Sequence, residues 1–182
     1  VPVEGEAGSG YRLMAGFDLP PLTLTHRESE ALIAAIRLLH TWGGDLLSRE
    51  LESAQEKVLA ILPEESRRKA EQARIFAPDF GRQQHSRSAF DMIHRAVSTQ
   101  QVLALHYRDE AGQLTWRDVQ PLGIFFQGEF WLLVAWCERR EDYRCFRVDR
   151  CLSITPLDRR FSECADRSLS DFLRKIRDET HA

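Results

Sequence analysis

Arg144, Arg147 and Arg150 recur at every third position in Y-R-C-F-R-V-D-R, directly after an apolar run at residues 130–137. A guanidinium forms two parallel hydrogen bonds to a carboxylate or phosphate and stacks on flat rings, so arginines beside Tyr143 and Phe146 have the groups to hold an anion or a nucleobase. If residues 143–148 form a strand, its two-residue period puts Arg144 and Phe146 on one face and Tyr143, Cys145 and Arg147 on the other. Tyr107, in L-H-Y-R, and Arg117, in T-W-R-D-V-Q-P, belong to the first two strands of the same expected sheet. A small barrel can bring them to a mouth beside residues 144–150 and so form an aromatic-lined anion cleft. The plainer reading pairs the arginines with Glu138, Glu141, Asp142 and Asp149 as a balanced surface, and composition alone favours it.

Other chemistry finds little support. G-x-S-x-G, H-E-x-x-H, P-loop and G-x-G-x-x-G patterns are all missing from the sequence. The adjacent carboxylates Asp109-Glu110 and Glu141-Asp142 fall in expected turns, where acids are ordinarily solvated. Cys137, Cys145, Cys151 and Cys164 lack C-x-x-C spacing, and the six histidines are dispersed, so buried or half-buried thiols are expected rather than a metal site or a disulfide. Cys145 with His106 is the one nucleophile pair to consider, and nothing raises it above chance. The chain is expected to be non-catalytic and to use no cofactor.

These residues need a scaffold. A chain of 182 residues, 43% hydrophobic and 29% charged, is that of an ordinary globular protein. Its net charge of -3 argues against a general grip on duplex DNA, which depends on phosphate neutralisation, so any anion site must be local. No apolar stretch reaches the roughly 20 residues of a membrane span, and no signal-peptide pattern opens the chain; a cytoplasmic protein is expected.

Along the chain, V-P-V-E-G-E-A-G-S-G-Y-R-L-M reads as a hairpin that is half of something larger, so the chain is expected to begin inside a domain. Thr25-His26-Arg27-Glu28 is a capping box and predicts a helix over 26–41 closed by Gly43-Gly44. Asp45 can cap a second helix over 46–62 ended by Pro63, packed antiparallel on the first. E-E-S-R-R-K-A-E-Q-A-R predicts a short third helix, A-P-D-F-G-R-Q-Q a linker, and Ser86 the cap of a helix through Phe90, Ile93 and Val97. Short strands follow: V-L-A-L-H-Y-R, L-T-W-R-D-V-Q-P-L, G-I-F-F leading to F-W-L-L-V-A-W-C, Y-R-C-F-R-V and C-L-S-I-T-P-L, with residues 130–137 expected in the centre. A last helix, S-L-S-D-F-L-R-K-I-R-D-E, closes the chain.

The series L-H-Y-R-D-E-A-G, R-D-V-Q-P-L-G, W-L-L-V-A-W-C and R-C-F-R-V-D-R resembles the WYL domain of bacterial transcriptional regulators. Upstream, G-S-G-Y-R-L-M-A-G-F-D-L-P-P-L-T-L-T-H-R-E-S-E-A-L resembles the join between a DeoR-like winged helix-turn-helix and the WYL part of YafY-type regulators. The resemblance implies an α+β fold: a partial wing hairpin, a helical connector, and a small SH3-like or Sm-like β-barrel. It divides the chain into a wing remnant at 1–16, a connector and dimerisation region at 17–82, a WYL barrel at 86–160 and a C-terminal helix at 161–182.

By the same resemblance the barrel binds a negatively charged effector, with single-stranded nucleic acid and nucleotides as candidates. Carried over by position, the ligand-binding residues are Tyr107, Arg117, Trp131, Arg144, Phe146, Arg147 and Arg150. The name-giving tripeptide is here Trp131-Leu132-Leu133, so the tyrosine hydroxyl is missing. DNA is expected to be bound through an N-terminal domain of which only the wing is present, and a homodimer is expected from the two long helices. Two other readings remain: an SH3-like protein-interaction module whose arginines are merely solvated, and a cysteine hydrolase.

Overall fold

The computed structural model describes residues 3–4, 12–13, 24–71 and 84–180. Strands β1 (Val3–Glu4) and β2 (Arg12–Leu13) pair antiparallel, so the expected hairpin is present at its paired positions. The rest of residues 1–16, and residues 77–83 of the expected linker at 77–84, lie outside the described residues, whereas its last residue, Gln84, is helical.

Helix α1 (His26–Trp42) begins where the capping box places it. The Glu28 amide donates to Thr25 Oγ1 at 3.3 Å and the Thr25 amide to Glu28 Oε2 at 2.7 Å, which satisfies two amides that the first turn leaves free. Helix α2 (Asp45–Ile61) packs on it around buried Ile33 and Ile36, with Leu51, Val58, Leu59 and Leu62 against them. The expected cap of α2 requires correction: Gly44, not Asp45, is the N-cap residue, and it makes no side-chain bond. The Leu46 amide is taken instead by Asp91 Oδ2, at 2.9 Å, from helix α4 (Gln84–Thr99). Helix α4 thus starts two residues before Ser86, and the short α3 (Glu64–Glu71) follows α2.

Five strands form one antiparallel sheet: β3 (Gln101–Arg108), β4 (Leu114–Phe126), β5 (Trp131–Cys137), β6 (Asp142–Arg147) and β7 (Cys151–Arg160), ordered β6-β5-β4-β3-β7. No ladder joins β6 to β7 among the described residues, so the sheet is not closed by hydrogen bonds. Two expectations change. L-T-W-R-D-V-Q-P-L and G-I-F-F are a single strand, whose register against β5 shifts between Pro121 and Gly123, where a proline without an N–H suits an irregular ladder. The central strand is therefore β4, with β5 one place towards the edge.

The alternating side chains feed two cores. On the inner face, Leu103, Leu105, Val119, Leu133, Ala135 and Phe146 pack beneath Ala89, Ile93 and Ala96 of α4. On the outer face, Val102, Leu122, Val134, Tyr143 and Phe161 pack with Phe172 of α5 (Leu169–Thr180). Tyr143 also fixes the start of α5: its hydroxyl lies 2.8 Å from Asp171 Oδ2 and accepts the Ser168 amide at 3.1 Å. Burial, and then the bond to Asp171, push the Tyr143 hydroxyl up to about 12. The Asp171 carboxyl is held below its ordinary value by Lys175, 2.9 Å away, and by Tyr143.

The helical pair is fastened to the sheet domain at the α1–α2 turn. Trp131 Nε1 donates to the Trp42 carbonyl at 2.6 Å, and the Trp131 ring lies 4.9 Å from both Phe90 and Phe126, with Trp42 4.6 Å from Phe126. Arg87, in α4, donates to Asp45 Oδ1 at 2.6 Å and to Ser48 Oγ at 2.9 Å.

Two outcomes test this arrangement. Tyr143→Phe removes the hydroxyl partner of a buried carboxylate and of one amide, and should cost about 1–3 kcal/mol in thermal or urea unfolding. A depressed folded pKa gives Asp171 stability that is full above the unfolded carboxylate value, about 3.9, and lost as pH falls through the folded value. The wild type should therefore lose stability on acidification over this interval more steeply than the Phe variant. Trp131→Phe keeps the ring packing but loses the donor to Trp42, so amide exchange in residues 42–48 should rise by about fivefold, for a bond of about 1 kcal/mol.

Candidate functional site

The pairing register decides which expected site residues share a face. Tyr107 lies opposite Thr115, Leu105 opposite Arg117, Ala135 opposite Arg144 and Leu133 opposite Phe146. Leu105, Leu133 and Ala135 are inner-core residues, so Tyr107, Arg117, Arg144 and Phe146 all belong to the inner face. A pocket of about 420 Å³ opens there, lined by those four together with Asp109, Thr115, Cys137, Arg140 and Cys145. Tyr107 and Phe146 meet edge to face at 5.1 Å and form an aromatic wall.

Its charges are unevenly matched. Arg144 reaches Asp142 at 3.2 Å, the surface pairing that composition favours. Arg117 has no carboxylate within ion-pair distance among the described residues; its Nε lies 3.4 Å from Thr115 Oγ1, and its Nη1 is buried with no hydrogen-bond partner. Arg140 likewise makes no ion pair among the described residues, its amide closing the β5–β6 turn on the Cys137 carbonyl at 3.1 Å. Asp109, the one acid of the lining, accepts the Gln113 amide at 2.8 Å. Three guanidinium groups therefore face one carboxylate.

The other three expected site residues stand apart from this pocket. Arg147 stacks 3.8 Å from the centre of the Phe130 ring and forks onto Asp149 at 3.1 and 2.7 Å, which holds the Asp149 carboxyl below its ordinary value. Its backbone amide points to the Tyr107 hydroxyl at 3.4 Å. Arg150 reaches Glu110 at 3.6 Å, and Trp131 is engaged at the α1–α2 turn. Conversely, Arg140 sits in E-R-R-E-D, which reads as a solvated turn, so sequence reasoning passes over it. Thr115 was accessible to it, being two residues from Arg117 along one strand face.

Two alternatives meet physical objections. Partial desolvation by its neighbours pushes the Cys145 thiol up although the residue is exposed, away from the thiolate a nucleophile needs, and His106 stacks flat on Trp116, 4.3 Å between centres, on the opposite face from Arg117. All four cysteines are free, with Cys137 and Cys151 buried and Cys145 and Cys164 exposed. A larger cavity of about 540 Å³ on the other side is lined by Gln120, Trp136, Glu138, Glu141, Asp166 and Arg167, and its three carboxylates repel an anion. Among the described residues no helix is long and apolar enough to cross a membrane.

The family model described as WYL domain matches residues 88–156, which run from α4 to within β7. The chain is 21% identical over 159 residues to the Bacillus subtilis (strain 168) protein named Uncharacterized HTH-type transcriptional regulator YobV, covering 85% of this chain and 50% of that one. The chain thus spans half the length of the curated relative it matches. Among solved structures it is similar to Proteasome accessory factor B/C (PafBC) of Arthrobacter aurescens, with 25% identity, a TM-score of 0.41, and coverage of 79% of this chain and 22% of that one. What these comparisons show is a match to the WYL domain over residues 88–156 of this chain.

Proposed function

We propose that the chain is the effector-sensing and oligomerisation part of a DNA-binding transcriptional regulator, and that its WYL domain binds an anionic ligand. The observation that carries this reading is Arg117: a guanidinium beside an aromatic wall, with a buried nitrogen that none of the described residues satisfies. Leaving such a group unpaired costs about 1–3 kcal/mol or more, a deficit that an anion entering the pocket can remove. Tyr107, Arg117, Arg144 and Phe146 form this site, with Arg140 at its rim. Single-stranded nucleic acid and nucleotides fit it best, since they offer both a phosphate for arginine and a ring for the aromatic wall. The chain acts as a sensor and not as an enzyme, in the cytoplasm.

An SH3-like or Sm-like barrel is supported by the strand order, in which the last strand returns beside the first. The approach of Arg147 to Tyr107, and of the Cys151 thiol to the Arg147 carbonyl at 3.7 Å, draws the end of β6 towards β3 and β7. The division into wing, connector, WYL barrel and closing helix belongs to the same proposal, with DNA bound by a winged domain to which β1 and β2 belong. Pocket and helical pair are joined through β5, which pairs with the pocket strand β6 and begins at the Trp131 anchor, a route by which a ligand can bias the connector. The connector also supplies a homodimer contact, because Leu38, Leu46 and Ile61 are 46%, 46% and 64% exposed.

Anisotropy of short labelled single-stranded oligonucleotides over a salt series tests the site. Binding should weaken with salt, and Arg117→Ala should weaken it by about ten- to hundredfold, as loss of a charged hydrogen-bonding group implies. Arg144→Ala should have a smaller effect, because Asp142 already engages Arg144. An Arg117→Ala protein that is folded and binds unchanged sinks the proposal. Sedimentation tests the dimer: Leu38→Glu with Ile61→Glu should shift the chain towards monomer, and a wild type that is monomeric at high concentration removes the dimer role.

A further inference from the structure

Strand β4 outruns its neighbour. From Val119 onward it pairs with β5, but residues 114–118 pair only with β3, because the chain leaves β5 at Cys137 and turns back into β6. One bond fixes the direction of the unpaired groups. The Glu138 amide donates to the Asp118 carbonyl at 3.1 Å, so Asp118 turns its backbone polar groups to the β5 side. Alternate residues of a strand turn theirs the same way, so Leu114 and Trp116 do so too, while Thr115 and Arg117 face β3. The N–H and C=O groups of Leu114 and Trp116 therefore line an edge against which no described strand lies. Exposed edges are usually blunted by charged side chains, proline or a bulge; here the register against β3 is unbroken, no proline is present, and the two charges are engaged elsewhere, Arg117 towards the pocket and Asp118 with Arg159.

The two sides of this edge differ in chemistry. On the inner side stand Thr115 and Arg117, with Arg140 and Arg144 across the gap. On the outer side Leu114 is 54% and Trp116 63% exposed, and Asp118 is already neutralised by Arg159 at 2.8 Å. An added strand would send alternate side chains to these two sides.

We propose that residues 114–118 accept an extended peptide as an added strand, one whose acidic side chains alternate with apolar ones. The peptide lies where β5 would continue had the chain not turned away, and four or five residues, at about 3.3 Å each, fill the edge. Its backbone bonds to Leu114 and Trp116, its carboxylates meet Arg117, Arg140 and Arg144, and its apolar side chains cover Leu114 and Trp116. This partner goes beyond the nucleic-acid ligand, although both use Arg117.

Calorimetry with acetyl-Val-Glu-Val-Glu-Val-amide, its lysine counterpart, and an acidic version N-methylated on alternate residues tests the proposal. The acidic peptide should bind, and the lysine peptide should bind at least about tenfold more weakly. The N-methylated peptide, equal in charge but unable to complete the ladder, should also lose about tenfold, as two backbone bonds imply. Trp116→Pro removes an N–H that no described bond uses; it should lose the acidic peptide yet keep the labelled oligonucleotide. Should that variant fail to fold, the N-methylated peptide still decides. Equal binding of acidic and N-methylated peptides overturns the added strand, as does absence of acidic-peptide binding, or a dimer that Trp116→Pro dissociates in place of peptide binding. Loss of oligonucleotide binding in Arg117→Ala supports the anion site alone, so the two readings can fail separately.

Discussion

A strand of thirteen residues beside one of seven can be paired on that side for only about half its length, and this mismatch between β4 and β5 organises the domain. Where the two run together, their inner side chains close a core under α4. Where β4 runs on past β5, paired with β3 only, a pocket opens on the inner face between β3, β4 and β6. The same departure of β5 into its turn brings Arg140 and Arg144 across from Arg117. A cavity, an excess of positive charge and an open backbone edge thus share one cause: the chain turns back at Cys137.

The helical half is held by a different kind of contact. The apolar cluster between α1 and α2 is small, with Ile33 and Ile36 as its buried members, so the position of the pair depends on polar fastenings at one turn. Asp91 serves as a cap borrowed from another element, Arg87 spans Asp45 and Ser48, and Trp131 reaches the Trp42 carbonyl. A cap supplied from a distance ties the formation of one helix start to the docking of another helix. Gly44 makes room for it: a Cβ there would stand 2.0 Å from Asp91 Oδ1.

Local chemistry was legible in the sequence, and distant chemistry was not. Thr25 and Glu28 are three residues apart and announce α1 by themselves, and the two-residue period puts Arg144 with Phe146 before any pairing is known. Asp45 reads as the cap of α2 because the competing carboxylate, Asp91, is 45 positions from the Leu46 amide it takes and gives no local signal. L-T-W-R-D-V-Q-P-L and G-I-F-F read as two pieces, whereas here β4 runs through both and the register shift between Pro121 and Gly123 absorbs the irregularity. Trp131 and Arg147 sit among residues that suit a ligand, and only the fold shows the Trp42 carbonyl and the Phe130 ring that engage them. Arg117 is the opposite case, since the unsatisfied state of its buried Nη1 is a property of three-dimensional space that no spacing could convey.

The four tryptophans fall into optically separate environments. Trp42 and Trp131 share the aromatic cluster at the α1–α2 turn, Trp116 stands 63% exposed on the open edge, and Trp136 lies against Tyr143 on the outer core. Quenching by a dissolved collider reaches the edge tryptophan ahead of the other three, whereas separation of the helical pair from the sheet domain wets the first two and shifts their emission to the red. The molecule therefore carries intrinsic reporters at both its open edge and its joint, readable without an attached dye.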